Sequence, residues 1–170
     1  MSILPIFIPH AGCPHQCVFC NQKTISGQKL AAVAAAKEQL TRWRSWLRPS
    51  VANEAAFYGG SFTGLPLELQ EELLALTDAL LAEGFIGSVR LSTRPDYIDE
   101  ERLQLLQRHG VRLVELGVQS LDDKVLAAAE RGHTAAQVAP AVALLQRFGF
   151  QVGLQLMVGM PEQSFASVQE

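Results

Sequence analysis

Three cysteines, Cys13, Cys17 and Cys20, stand in the order C-x-x-x-C-x-x-C within one short stretch, and the 170-residue chain has no others. A [4Fe–4S] cluster normally takes four thiolates. Three thiolates therefore leave one iron open to a ligand that is not protein, and chemistry is to be sought at that open position. Other uses of the cysteines compete with this reading. A disulfide framework prefers an even cysteine count in a small secreted chain. Zinc is the stronger rival, because His15 could complete a Cys3His tetrahedron. His15, however, lies inside the loop, two residues from Cys13 and from Cys17, and no second C-x-x-C knuckle follows. Ala11-Gly12-Cys13 after an apolar start has the outline of a lipoprotein cleavage site, but the basic flank is missing and the apolar run is too short.

The elements that must position this loop follow from patterning. With 48% hydrophobic residues and a net charge of −3, the chain can bury one substantial core and reads as a single domain. Its mildly acidic balance and scattered basic residues leave no electrostatic footprint for nucleic acid. No segment approaches a membrane span, so the expectation is a cytoplasmic protein with no membrane partner, in a reducing compartment where thiolates stay available for metal.

Short apolar runs alternate with segments of helical period, the pattern of βα units feeding a parallel sheet. The first strand is expected over Ile3–Ile8, with Pro9-His10 leading into the cysteine loop. A helix follows over Leu30–Leu47, its two tryptophans reading as packing residues. Ala55–Tyr58 is a second strand, stopped by Gly59-Gly60, and a helix opens at Pro66 and runs to Glu83. Ser88–Thr93 is the third strand, after which Asp99 caps a helix ending at His109-Gly110. Arg112–Leu116 is the fourth, followed by a short helix over Asp122–Glu130. Thr134 and Gln137 have capping-box spacing, with Pro140 moving the helix start toward Val138. Phe150–Val158 is the fifth strand, and Ser164 caps a last helix. In parallel βα barrels the active groups come from loops after the strands' carboxyl ends. Here those places hold the cysteine loop, Gly59-Gly60-Ser61, Ser92-Thr93-Arg94, Glu115 to Ser120, and Gln155 with Gly159.

The loop Cys13-Pro-His-Gln-Cys17-Val-Phe-Cys20, placed after a first strand and before a barrel, resembles the signature of radical S-adenosylmethionine enzymes. Tyr58-Gly-Gly-Ser-Phe-Thr63, Ser92-Thr-Arg-Pro-Asp96, Val114-Glu-Leu-Gly-Val-Gln-Ser120, Arg131-Gly-His-Thr134 and Met157-Val-Gly-Met-Pro161 resemble the branch containing the catalytic subunit of Elongator. A sister branch includes the oxygen-independent coproporphyrinogen dehydrogenase. The resemblance implies an α/β fold, a partial (β/α)6 barrel with about five parallel strands present. It implies that Cys13, Cys17 and Cys20 hold a [4Fe–4S] cluster whose fourth iron is chelated by S-adenosyl-L-methionine. One electron, from a donor such as flavodoxin or ferredoxin, would cleave the sulfonium to give methionine and a 5′-deoxyadenosyl radical that removes a substrate hydrogen. The substrate class it suggests is tRNA.

The resemblance also assigns cofactor contacts. Phe19 would lie against adenine. Gly59 and Gly60 would let the backbone approach the methionyl amino group, with the Ser61 hydroxyl as an acceptor. Gln119 and Arg131 match positions contacting the ribose or the methionyl carboxylate, and Arg131 could clamp that carboxylate bidentately. Gln155 and Ser92 stand where the sister branch carries acidic residues, and an amide still hydrogen-bonds ribose hydroxyls. Glu115 faces either the cofactor and substrate or a structural partner, Arg90 or Arg94. Departures from the family are also visible. The Elongator subunit has longer spacing after its first cysteine and carries an acetyltransferase domain. The family barrel has six βα units, and this sequence stops after the fifth strand. The expectation is a core lacking the last βα unit and any carboxyl-terminal domain, with an open edge at its fifth strand. Beside the enzyme, two alternatives stand: a non-catalytic zinc- or iron–sulfur-binding module, and an inactive remnant.

Overall fold

The structure, a computed structural model, describes residues 2–8, 13–20 and 32–169. The expected link through Pro9-His10 and the start of the first helix at Leu30 lie outside those residues. Five strands, β1 (Ile3–Ile8), β2 (Glu54–Gly59), β3 (Ser88–Thr93), β4 (Val111–Gln119) and β5 (Gln151–Leu156), form one parallel sheet in the order β1-β2-β3-β4-β5. The strand order never reverses. Because parallel crossovers are right-handed, an order that only advances places the connecting helices on one face and leaves the other as a concave wall. That is the arrangement of a partial βα barrel rather than a doubly wound sheet.

The main helices are α1 (Ala32–Trp46), α2 (Leu67–Ala82), α3 (Glu100–Arg108), α4 (Asp123–Ala128), α5 (Val138–Arg147) and α6 (Phe165–Gln169). Strand alternation explains the layers. Leu4, Ile6 and Ile8 of β1, Phe57 of β2, Val89 and Leu91 of β3, and Val114 and Leu116 of β4 are buried in one core with Leu40, Leu73, Leu74, Leu103, Leu106 and Leu145 from the helices. The alternate residues Arg90, Ser92 and Glu115 carry polar chemistry on the other face.

The expected caps form. The Asp99 carboxylate accepts from the Arg102 N–H at 2.9 Å, and Ser164 Oγ accepts from Ser167 N–H at 3.1 Å. Gln137 Oε1 accepts from Thr134 N–H at 2.8 Å. The capped turn is a short 3-10 segment, Ala135–Gln137, that runs into α5, so Pro140 sits in the first turn of α5, where its missing N–H costs no bond.

Two expectations change. The fourth strand does not end at Leu116: it continues through Gly117 to Gln119, because β5 pairs with that stretch, Gly117 facing Gln155 and Gln119 facing Leu156. Pairing with the partner strand carries β4 past a glycine of low strand preference. The tryptophans also part company. Trp43 donates its indole N–H to Pro5 O at 2.8 Å, whereas Trp46 is 67% exposed and touches Trp43 edge-on.

The two sheet edges are treated differently. On β1 the Gln39 amide of α1 accepts from Phe7 N–H at 2.8 Å and donates to Phe7 O at 3.1 Å, standing in for a neighbouring strand. Pro5, with no N–H to satisfy, is tolerated on such an edge. Beyond β5 no strand follows among the described residues, and Leu154 and Leu156 are 50% and 60% exposed.

Candidate functional site

Strand ends deliver the site. At the carboxyl ends of β1 to β5 lies a cavity of about 130 Å³ whose wall includes all three cysteines together with His15 and Phe19. Gly59, Gly60 and Ser61 enter from the end of β2, Ser92, Thr93 and Arg94 from β3, Gly117 and Gln119 from β4, Arg131 from the turn after α4, and Gln155 from β5. Every residue given above as a cluster ligand or a cofactor contact therefore lines one space, with the exception of Glu115. Sequence reasoning placed Thr93, Arg94 and Gly117 in strand-end motifs without assigning them a cofactor contact; their positions at strand ends were the available signal.

The cysteine loop is docked rather than suspended. Val18 N–H donates to Ala129 O at 3.1 Å, the half-buried Phe19 packs against Val125, Ala129 and Met160, and the His15 ring covers Gly132 so closely that a Cβ there would lie 2.4 Å from it. Cys17 is buried, and Cys13 and Cys20 are partly exposed. Burial pushes the Cys13 thiol up, against the lowering effects of the Ser61 backbone N–H and then of Arg94 and Arg131. Ser61 thus addresses Cys13 through its main chain. Its hydroxyl, expected to serve as a free acceptor, is bonded to Thr93 Oγ1 at 2.9 Å in a buried pair.

Two buried guanidinium groups stand beneath the loop. Arg94 is 2% exposed. It donates to both Asp96 carboxylate oxygens, at 2.8 and 2.9 Å, and to Arg131 O at 2.7 Å. Asp96 is held below the usual carboxylate range: burial raises it, and the bonds and charge of Arg94 outweigh that. Arg131 donates from Nη2 to Gly117 O at 2.6 Å and from Nη1 to Cys17 Sγ at 3.8 Å. Beside them, burial first and then Arg131 and Arg94 push the His133 imidazole down to about 4.

Glu115 resolves toward structure. Its carboxylate pairs with Arg90, not with Arg94, and accepts from Ser92 Oγ at 3.0 Å and Gln155 Nε2 at 3.3 Å. Arg90 also reaches Glu54 at 3.3 Å. Glu115 thus stands one step behind the cavity, orienting two residues that line it.

The residues fit a cluster and an organic ligand. Cys13, Cys17 and Cys20 line one cavity, and a cube asks each thiolate to meet a different iron. At the cavity wall Arg131 Nε is buried without a hydrogen-bond partner among the described residues. A Cβ on Gly117 would lie 2.9 Å from both Arg131 Nη2 and Gln119 Nε2, so a side chain there would crowd the two residues at that wall. Gln119 holds φ +71°, a conformation a non-glycine residue adopts at a cost and one that recurs at ligand sites.

Comparison with known proteins agrees with this geometry. The model of the Radical SAM superfamily matches residues 7–170. An uncharacterized protein of Methanocaldococcus jannaschii is 28% identical over 94% of this chain and 52% of its own length. The tRNA uridine(34) acetyltransferase of Methanocaldococcus infernus is 24% identical over 96% of this chain and 38% of its own. Among solved structures, coproporphyrinogen III oxidase (HemN) from Escherichia coli superposes with a TM-score of 0.71 at 22% identity, covering 99% of this chain and 39% of that one. The chain thus spans about half, or less, of these relatives' lengths. With the matched model reaching from β1 to the last residue, the chain belongs to the Radical SAM superfamily.

Proposed function

We propose that residues 1–170 are the core domain of a radical S-adenosylmethionine enzyme, in which Cys13, Cys17 and Cys20 hold a [4Fe–4S] cluster and S-adenosylmethionine lies in the adjoining cavity. The observation that carries this reading is the convergence of the three thiols, the Gly59-Gly60 turn, Gln119 and Arg131 on one space at the strands' carboxyl ends. When bound, the reduced cluster supplies the electron that cleaves S-adenosylmethionine to methionine and a 5′-deoxyadenosyl radical able to take a hydrogen atom from substrate.

The chain's own part is to bind, orient and exclude. Gly59 and Gly60 admit the methionyl end to the backbone. Phe19 offers a flat apolar face to adenine. Gln119, Ser92 and Gln155 present hydrogen-bonding groups suited to ribose, the last two held by Glu115. Arg131 Nε, buried and without a hydrogen-bond partner among the described residues, is available to an anionic group. The proposed substrate is a tRNA, by the activity named for the archaeal relative, and the proposed electron donor is a flavodoxin or ferredoxin in a reducing cytoplasm. No helix among the described residues is long and apolar enough to cross a membrane.

Anaerobically reconstituted protein should show a [4Fe–4S] paramagnetic signal that changes on adding S-adenosylmethionine, and should release 5′-deoxyadenosine with dithionite. Stoichiometric zinc without iron after anaerobic purification, or a cluster indifferent to the cofactor, would overturn the proposal. Gel-shift titration with total tRNA tests the substrate class, and no retention at low salt, where phosphate contacts are strongest, would remove tRNA.

A further inference from the structure

We infer that Arg131 is a positioning residue for the cluster itself: it fixes the Cys17 sulfur and eases one-electron reduction by presenting a buried positive charge to it. The inference rests on the function proposed above. It begins from a contrast between two arginines. Arg94 is buried, but Asp96 neutralises it through two hydrogen bonds. Arg131 is 7% exposed, and among the described residues no carboxylate pairs with it. An unpaired buried cation is costly, so the fold keeps this one only if an anion answers it.

A group able to do so, once it ligates the cluster, is Cys17, whose sulfur Nη1 reaches at 3.8 Å. The guanidinium is also held in place. Nη2 is bonded to Gly117 O, and the residue's own carbonyl accepts from Arg94. Gly117 leaves room for that approach, since a Cβ would stand 2.9 Å from Nη2. A cluster gains a negative charge when it accepts an electron, and hydrogen bonds and net charge at its sulfurs set its potential. A fixed cation donating to one of those sulfurs therefore favours the reduced form. No bond is made or broken; the electron comes from the external one-electron reductant.

A carboxylate clamp on S-adenosylmethionine would act differently. It would change cofactor affinity and leave the potential of the cofactor-free cluster alone. The test is a redox titration, followed by electron paramagnetic resonance without S-adenosylmethionine, of reconstituted parent, Arg131→Gln and Arg131→Lys. The Gln variant is expected to lower the ratio of reduced to oxidised cluster at least tenfold at fixed potential, a shift of about 59 mV for one electron. The Lys variant, which keeps the charge and loses the fork, should fall between the two. A Gln variant that loads iron like the parent and titrates at the same potential overturns the inference. A Gln variant that melts like the parent yet takes up no cluster supports it. If the Gln variant does not fold, the Lys variant decides: a shift of the same sign supports the inference and an unchanged potential overturns it. A parent that takes up no cluster overturns the proposed function instead.

Discussion

Replacing Gly59 by alanine is expected to destabilise the apoprotein by about 4 kcal/mol, by the conformational and packing terms that follow. Gly59 ends β2 at φ +122°, where β1 pairs Ile8 with it. A Cβ would lie 2.1 Å from Ile8 O, so the end of β1 would have to retreat by roughly 1 Å to restore an ordinary contact. A side chain at such a φ costs roughly 1–3 kcal/mol. Forcing a methyl group against a packed backbone costs about 1–3 kcal/mol more. For a chain of this size, about 4 kcal/mol lowers the melting temperature by roughly 8–16 °C. Thermal and urea unfolding of apo Gly59→Ala measure this. Gly84→Ala is the control: its φ is +66°, but the nearest atom to a Cβ is 3.9 Å away, so it carries the conformational cost without the clash. Because Ile8 leads toward the cysteine loop, Gly59→Ala should also take up less iron on reconstitution. If Gly59→Ala melted within about 2 °C of Gly84→Ala, the contact with β1 would not be the constraint described, and the reasoning would fail.

The protonation of His133 predicts a pH dependence. Its folded value of about 4, against an ordinary 6.5, means that between these pH values the unfolded chain binds a proton the folded chain does not. Apoprotein stability should be full above pH 6.5 and decline by roughly 3 kcal/mol on acidification to about pH 4. Urea unfolding across that range should show the decline, and His133→Gln should flatten it. Glu115→Gln removes one of two carboxylates facing Arg90 and should cost about 1–2 kcal/mol in urea unfolding, with less than additive loss when combined with Arg90→Met; full additivity would mean the pair is idle. Asp99→Ala removes the α3 cap and should cost about 1 kcal/mol while iron uptake stays at the parent level; reduced uptake would show that α3 reaches the site.

The strands and caps were legible because their causes are local. Alternation along Ile3–Ile8 and Ser88–Thr93, the capping carboxylate of Asp99, and the spacing of Thr134 and Gln137 each act within a few residues. The extension of β4 through Gly117 was not legible for the complementary reason. That extension depends on a partner strand some forty residues later, which no local preference of glycine reveals. Trp46 likewise repeats at helical spacing, yet its face of α1 meets solvent.

By itself the sequence determined the chemistry on offer: three thiols close enough along the chain to share one cluster, and glycine or polar residues at each strand's carboxyl end. These follow from spacing and period, which the backbone enforces wherever it folds. Only the tertiary structure decided which polar groups remain free to act. It gave Glu115 to Arg90 and Asp96 to Arg94, tied the Ser61 hydroxyl to Thr93, and left Arg131 buried beside Cys17 with no carboxylate partner among the described residues. Pairing of charges and hydroxyls is settled by three-dimensional proximity in a poorly solvated interior, where an unmet charge is costly, and one-dimensional spacing carries no record of it.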